Sequence, residues 1–190
     1  MPRASAALLF AACAAAFAQT PPGPVELAPG TMSADGYRLP PYRAATPARH
    51  PEAVTVDAAE LRELLAQGAV LALDVMATVQ RPPTGELAAA FIPSAPREHI
   101  PGSYWLPNVG FETLAPAVEA YLRATLARLS GGRPDRGLAF YCIQDCWASW
   151  NAARRAARLG YTQVYWFPGG TEGWVAAGGA LVPATPEPLP

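Results

Sequence analysis

Two uninterrupted apolar runs, Val70-Leu71-Ala72-Leu73 and Leu138-Ala139-Phe140-Tyr141, constrain the fold of this chain more than any other feature. A strand without a polar face must be covered on both sides, as in parallel sheets whose crossovers are helices. The flanking sequence supplies such helices. Asp57 is placed to N-cap a helix over 58–67, with Leu61, Leu64 and Leu65 on its apolar face, and Gly68 ends it. Residues 111–129 repeat apolar side chains at helical spacing up to Gly131-Gly132, and a third helical pattern runs through Ala152, Ala153, Ala156 and Leu159 to Gly160. Further strands are predicted at 54–56, 104–106 and 163–167, and Thr171 reads as the N-cap of a short helix holding Trp174. The alternation predicts an α/β fold of three layers, a central, mostly parallel sheet flanked by helices.

Composition fits one core: 51% of the residues are hydrophobic and 15% charged. Residues 1–18 read as a signal peptide, with Arg3 before an apolar stretch and Ala16-Phe17-Ala18 as the cleavage site, so Cys13 leaves with it. The expectation is a periplasmic or otherwise exported protein without a membrane segment after cleavage. Residues 19–51, rich in Pro, Gly and Ala, form an extended arm, part of which packs on the domain through Tyr37 and Tyr42. Residues 52–182 form the domain and 183–190 a loose Pro-rich tail. A net charge of -1 without a basic face excludes nucleic acid as a partner, and the absence of Lys excludes Schiff-base chemistry.

The mature chain keeps Cys142 and Cys146, and Cys142 falls where a strand crosses into a helix. In open α/β sheets that edge is the usual ligand crevice. Unpaired amides and the helix dipole there favour a thiolate, so Cys142 is expected to be the reactive sulfur with a lowered pKa, able to hold a persulfide. Four residues on, Cys146 is within reach of a disulfide and serves as resolving partner. The same pair would hold Cu(I) if Met76 or His99 supplied a third ligand. Asp145 is a proton acceptor near Cys142 or the cap of the following helix. Gln144, Trp147 and Trp150 are candidate substrate contacts, the two Trp as an aromatic wall, a docking patch or simple packing. Asp74, at a strand end, would accept loop amides, and His99 would fix its turn or contact the ligand. Arg154 and Arg155, beyond the first helical turn, read as solvated charges. No resident cofactor or metal is required, and Cu(I) stays open as the alternative.

From Leu138 to Trp174, the order of strand, Cys loop, Ala-rich helix, Gly160-Tyr161, strand, Gly169-Gly170 and Trp174 resembles the active-site half of a rhodanese-like domain. Upstream, Leu73-Asp74-Val75 resembles that family's Asp-bearing strand end, and His99-Ile100-Pro101-Gly102-Ser103 its HIPGA turn. The resemblance implies a rhodanese-like fold over about 54–180. Tyr141-Cys142, Asp145-Cys146-Trp147, Ser149-Trp150-Asn151-Ala152-Ala153 and Gly170-Thr171-Glu172-Gly173-Trp174 are further similar to exported CXXCW-motif proteins associated with pyrroloquinoline quinone (PQQ)-dependent alcohol catabolism. That likeness implies a pathway and, as partner, a periplasmic PQQ-dependent dehydrogenase or cytochrome.

The chain departs from the rhodanese pattern at two places. Met76 stands where the family has Arg, and Gln144, Asp145, Cys146 and Trp147 replace a loop of Gly, Ser and Arg. An anionic sulfur substrate would meet Asp145, and a like charge at about 4 Å costs on the order of 1 to 4 kcal/mol. The resemblance therefore implies thiol redox or sulfur handling by a sulfurtransferase or thiol oxidoreductase, and not ordinary thiosulfate transfer. The competing expectation is a non-catalytic module that carries Cu(I) or docks through its Trp residues.

Overall fold

A computed structural model describes residues 28–80, 91–93 and 95–189. The expected signal peptide, Cys13 with it, and the beginning of the arm lie outside the described residues. In chain order the elements are β1 (Val54–Thr55), α1 (Ala58–Ala66), β2 (Val70–Asp74), β3 (Val79–Gln80), β4 (Phe91–Ile92), β5 (Glu98–His99), β6 (Tyr104–Trp105), α2 (Pro116–Ser130), β7 (Gly137–Tyr141), α3 (Trp147–Arg158), β8 (Val164–Trp166), α4 (Gly170–Ala176) and β9 (Val182–Pro183).

Five of the strands form a parallel sheet in the order β1-β8-β7-β2-β6. The two apolar runs lie side by side, β7 beside β2 from Val70↔Gly137 to Asp74↔Tyr141. Alternation along β7 divides the core. Leu138 and Phe140 pack with Val118, Tyr121, Leu122 and Leu126 of α2 and with Trp147 and Trp150 of α3. Ala139 and Tyr141 face the other way, toward Leu61 of α1 and Trp174 of α4. Every residue of β7 is buried, which is why its sequence shows no polar face.

Helix ends follow local chemistry. Asp57 caps α1 as expected, accepting from the amides of Ala59 and Glu60 while Glu60 accepts from the Asp57 amide, a capping box. α2 starts five residues later than its apolar spacing predicts. Pro116 occupies its first turn, and the residue before a proline is driven to extended backbone, here Ala115 at ψ 145°. Thr171 is not an N-cap: α4 begins at Gly170, capped by Gly169, and the Thr171 hydroxyl donates to Glu172.

The arm packs over α3. Asn151, fully buried, accepts from the Arg38 amide at 2.8 Å and donates to its carbonyl at 3.0 Å. Arg155 covers the Tyr37 ring and donates to the carbonyls of Val109, Phe111 and Glu112, while Arg154 pairs with Glu52 and reaches the Gly36 carbonyl. These two arginines are fasteners rather than solvated charges. The tail is not loose either: β9 pairs with β5, the Glu187 amide donates to the Trp105 carbonyl, and Glu187 pairs with Arg128. Its prolines prevent a long strand but not isolated edge bonds. Among the described residues no helix is long and apolar enough to cross a membrane.

His50 closes the arm onto the core. Its Nδ1 accepts from the Glu52 amide at 3.0 Å and its Nε2 faces the Trp150 carbonyl at 3.1 Å, a pairing that selects the neutral Nε2–H tautomer. Burial lowers its pKa from 6.5 to about 4. Because the folded pKa is depressed, His50 contributes stability that is fully present above pH 6.5 and is lost as the pH falls toward 4. The melting temperature of the native protein should drop through that window faster than that of His50→Gln; parallel curves for the two proteins would contradict this account.

Candidate functional site

Strand β7 ends at Tyr141, and its carboxyl end delivers Cys142 directly into the loop that enters α3. Two other segments hold that loop. From α4, the Thr171 amide donates to the Cys142 carbonyl at 3.0 Å and the Glu172 carboxylate accepts from the Gln144 amide at 2.9 Å. From the arm, the Ala44 amide donates to the Asp145 carbonyl at 3.0 Å, and the Tyr42 carbonyl accepts from the Trp147 amide at 2.7 Å. Gly170 permits this closeness. A Cβ there would lie 2.4 Å from the Ile143 carbonyl carbon, and its φ of 57° strains any larger residue.

Asp145 lies at φ 57°, and its carboxylate does not cap α3. The N-cap is Cys146, in extended backbone at φ -106°. The turn can therefore change direction only if Asp145 takes the left-handed conformation, which Asp tolerates better than most residues. The expectation that Asp145 caps the helix is corrected accordingly. Gln144 is exposed at the loop's crest, the one expected substrate contact with a free surface.

The two sulfurs differ. Cys142 is 1% exposed, its thiol donates to Met76 Sδ at 3.6 Å, and the Cys146 sulfur lies beside it. The neighbouring Cys146 sulfur raises the Cys142 pKa well above the ordinary thiol value, with burial and the charge of Asp74 acting in the same direction. Cys146 moves down to about 7, first through its interaction with the Cys142 thiol beside it and then because the amides of Ala148, Ser149 and Ile143 favour its anion. Its sulfur makes no short capping bond, yet it stands at the helix terminus where those first-turn amides point. The direction of the two shifts gives the lower thiol pKa to Cys146, which stands at the N-cap of α3, where the expectation gave it to Cys142. Both cysteines are free.

Asp74, fully buried, receives the Arg97 guanidinium on both oxygens at 2.8 and 3.0 Å and the Met76 amide at 3.0 Å. The support role expected for Asp74 is therefore shared with an unforeseen cation. Arg97 lies near enough to Cys142 to feel its charge, and Asp74 raises its pKa against the cost of burial. No spacing rule links Arg97 to Asp74 across 22 intervening residues; only its place two residues before His99 hints at it.

His99 is buried beside this pair, its Nδ1 without a partner among the described residues. Its turn is fixed by Tyr141, whose hydroxyl accepts from the Ile100 amide at 3.1 Å and donates to Ser103 at 2.7 Å. Trp147 and Trp150 are 0% and 4% exposed, so they form neither a wall nor a docking patch. They pack with each other at 5.1 Å, and Trp150 meets Trp166 edge-on at 5.2 Å. Met76 reaches the site: its Sδ is 3.6 Å from Cys142 Sγ.

With that geometry in place, comparison with known proteins gives the following. A family model described as a rhodanese-like domain matches residues 57–177. No curated protein sequence matches significantly. Among solved structures the chain is similar to a protein from Anabaena sp. at 21% identity, covering 68% of this chain and 92% of that one with a TM-score of 0.46. It is also similar to the polysulfide-sulfur transferase homodimer of Wolinella succinogenes at 17% identity, covering 69% and 79% with a TM-score of 0.44. A human single-domain sulfurtransferase aligns at 26% identity, covering 66% and 96% with a TM-score of 0.40.

Replacing Gly170 with Ala should push α4 off the cysteine loop. Hydrogen exchange is the direct readout: the Thr171 amide, bonded to the Cys142 carbonyl, should lose its protection in Gly170→Ala. Unchanged protection there would show that the loop does not depend on this approach.

Proposed function

The chain belongs to the rhodanese-like domain family, and on that premise we propose that it is a thiol-dependent sulfurtransferase or thiol oxidoreductase in which Cys146 reacts first and Cys142 resolves. The observation that carries this reading is the place of Cys146 at the N-cap of α3, beside the more deeply buried Cys142, which makes it the better anion of the two. A thiolate is the nucleophile in either chemistry, and one with a pKa near ambient pH combines a large anionic fraction with good nucleophilicity.

In the redox form, the Cys146 thiolate attacks one sulfur of a disulfide substrate, forms a mixed disulfide and expels a thiolate. Cys142 then gives up its proton, attacks the Cys146 sulfur and expels the second thiolate, leaving a Cys142–Cys146 disulfide and a fully reduced substrate. In the sulfur-handling form, Cys146 takes a sulfane sulfur from its donor as a persulfide. Attack by Cys142 on the inner sulfur then releases hydrosulfide and forms the same disulfide. In the loop, the amides of Gln144 and Trp147 already have protein acceptors, while those of Ile143, Ala148 and Ser149 face the sulfurs and favour negative charge there. Gln144, at the exposed crest, is the side chain placed to meet the incoming substrate.

The setting follows from the sequence: the leader and the likeness to CXXCW-motif proteins support an exported protein acting beside PQQ-dependent alcohol oxidation, with a periplasmic dehydrogenase or cytochrome as its partner. Three residues separate the cysteines here, one more than that motif's name states. Because Trp147 of the motif and Trp150 beyond it are both buried, such a partner would meet the Gln144 crest instead.

Trapping separates the two roles. Under mild oxidant or a sulfane-sulfur donor, Cys142→Ser should accumulate a mixed disulfide or persulfide on Cys146, visible by mass spectrometry, because its resolving thiol is gone. Cys146→Ser should accumulate far less at pH 7. Adducts on Cys142 alone would overturn the assignment.

A further inference from the structure

Three sulfur atoms from two distant parts of the chain meet beneath the loop, and the thiol chemistry above uses two of them. The Cys142 thiol donates to Met76 Sδ at 3.6 Å, and the free Cys146 sulfur is the other neighbour of Cys142. Met76 is fastened at both backbone polar groups: its amide donates to Asp74 Oδ1 at 3.0 Å, and its carbonyl accepts from Trp105 Nε1 at 2.7 Å. The thioether is thus held in place before anything binds. His99, the other side chain of the right chemistry, lies near enough to Asp74 and Arg97 to feel their charges and makes no hydrogen bond to either cysteine among the described residues.

The donor set is selective. Among the described residues no three His, Cys, Asp or Glu side chains converge where a metal could sit, and both oxygens of Asp74 are already taken. What remains is two thiols and a thioether, ligands that suit Cu(I) and not the harder divalent ions. A trigonal ion with metal–sulfur bonds of about 2.3 Å requires its sulfurs about 4 Å apart. The Met76–Cys142 distance of 3.6 Å meets that after an opening of a few tenths of an ångström. The surroundings are buried and apolar, with Cys142 at 1% and Cys146 at 9% exposure, which would shield a bound ion from oxidants.

The geometry points to a Cu(I) site formed by Met76 Sδ, Cys142 Sγ and Cys146 Sγ. On binding, both thiols release their protons to solvent, three metal–sulfur bonds form, and no electron moves. The resulting centre carries one net negative charge, close to the Arg97 guanidinium. The inference goes beyond sulfur handling or thiol redox: it shares two of their sulfurs, adds Met76, and requires no turnover.

The test is an anaerobic titration of the reduced full-length protein with Cu(I) in competition with bicinchoninate, together with X-ray absorption of the loaded protein. One Cu(I) per chain with three sulfur neighbours is expected. Met76→Leu, a nearly volume-conserving change, should weaken retention by about tenfold or more and leave two sulfur neighbours. Alkylation and trapping of the cysteines are followed in the metal-free native protein, so failure of copper binding and failure of the thiol reading are told apart. No retention against the competitor, or a two-sulfur shell in the native protein, would overturn the site; the second result does not depend on the variant folding.

Discussion

Strand β7, buried on both faces and paired in full register with β2, is the constraint from which the rest of the structure follows. It forces helices onto both sides of the sheet, and its carboxyl end fixes where Cys142 enters the loop. Because β2 runs parallel beside it, Asp74 and Met76 arrive at the same end. The ion pair of Asp74 with Arg97 and the Met76 thioether are therefore placed by the sheet and not by the loop. Losing either partner of a buried ion pair costs about 3 to 5 kcal/mol, so the floor of the site is tied to the stability of the fold.

The loop itself is held from outside. Its backbone has left-handed Asp145 at one turn, and it is secured by α4 through Gly170, Thr171 and Glu172 and by the arm through Tyr42 and Ala44. The arm and α4 thus determine the loop's electrostatics: by taking the amides of Gln144 and Trp147 they leave the remaining first-turn amides to the sulfurs. A loop with those amides free would offer a broader anion cradle, and here the negative charge is confined to the neighbourhood of Cys146.

Much of this was legible in the sequence because it rests on patterns with a physical period. The apolar runs gave β2 and β7, Asp57 gave the first helix start, and the position of the cysteines at a crossing gave the site. Other features have no period to read. β3, β4, β5 and β9 are two residues each, and the tail is held by single bonds to the sheet edge that depend on tertiary placement. Arg97 meets Asp74 only through the fold. Helix spacing puts the dipole near the loop without showing which cysteine stands at the N-cap; that position falls to Cys146, after the left-handed turn at Asp145.

The central claim is that Cys146 bears the charge while Cys142 stays a thiol. Selective ¹³Cβ labelling of the cysteines with NMR titration of the reduced protein tests it most directly. The account expects the Cys146 signal to titrate near pH 7, with Cys142 remaining a thiol well above that range. Titration of Cys142 first would contradict it.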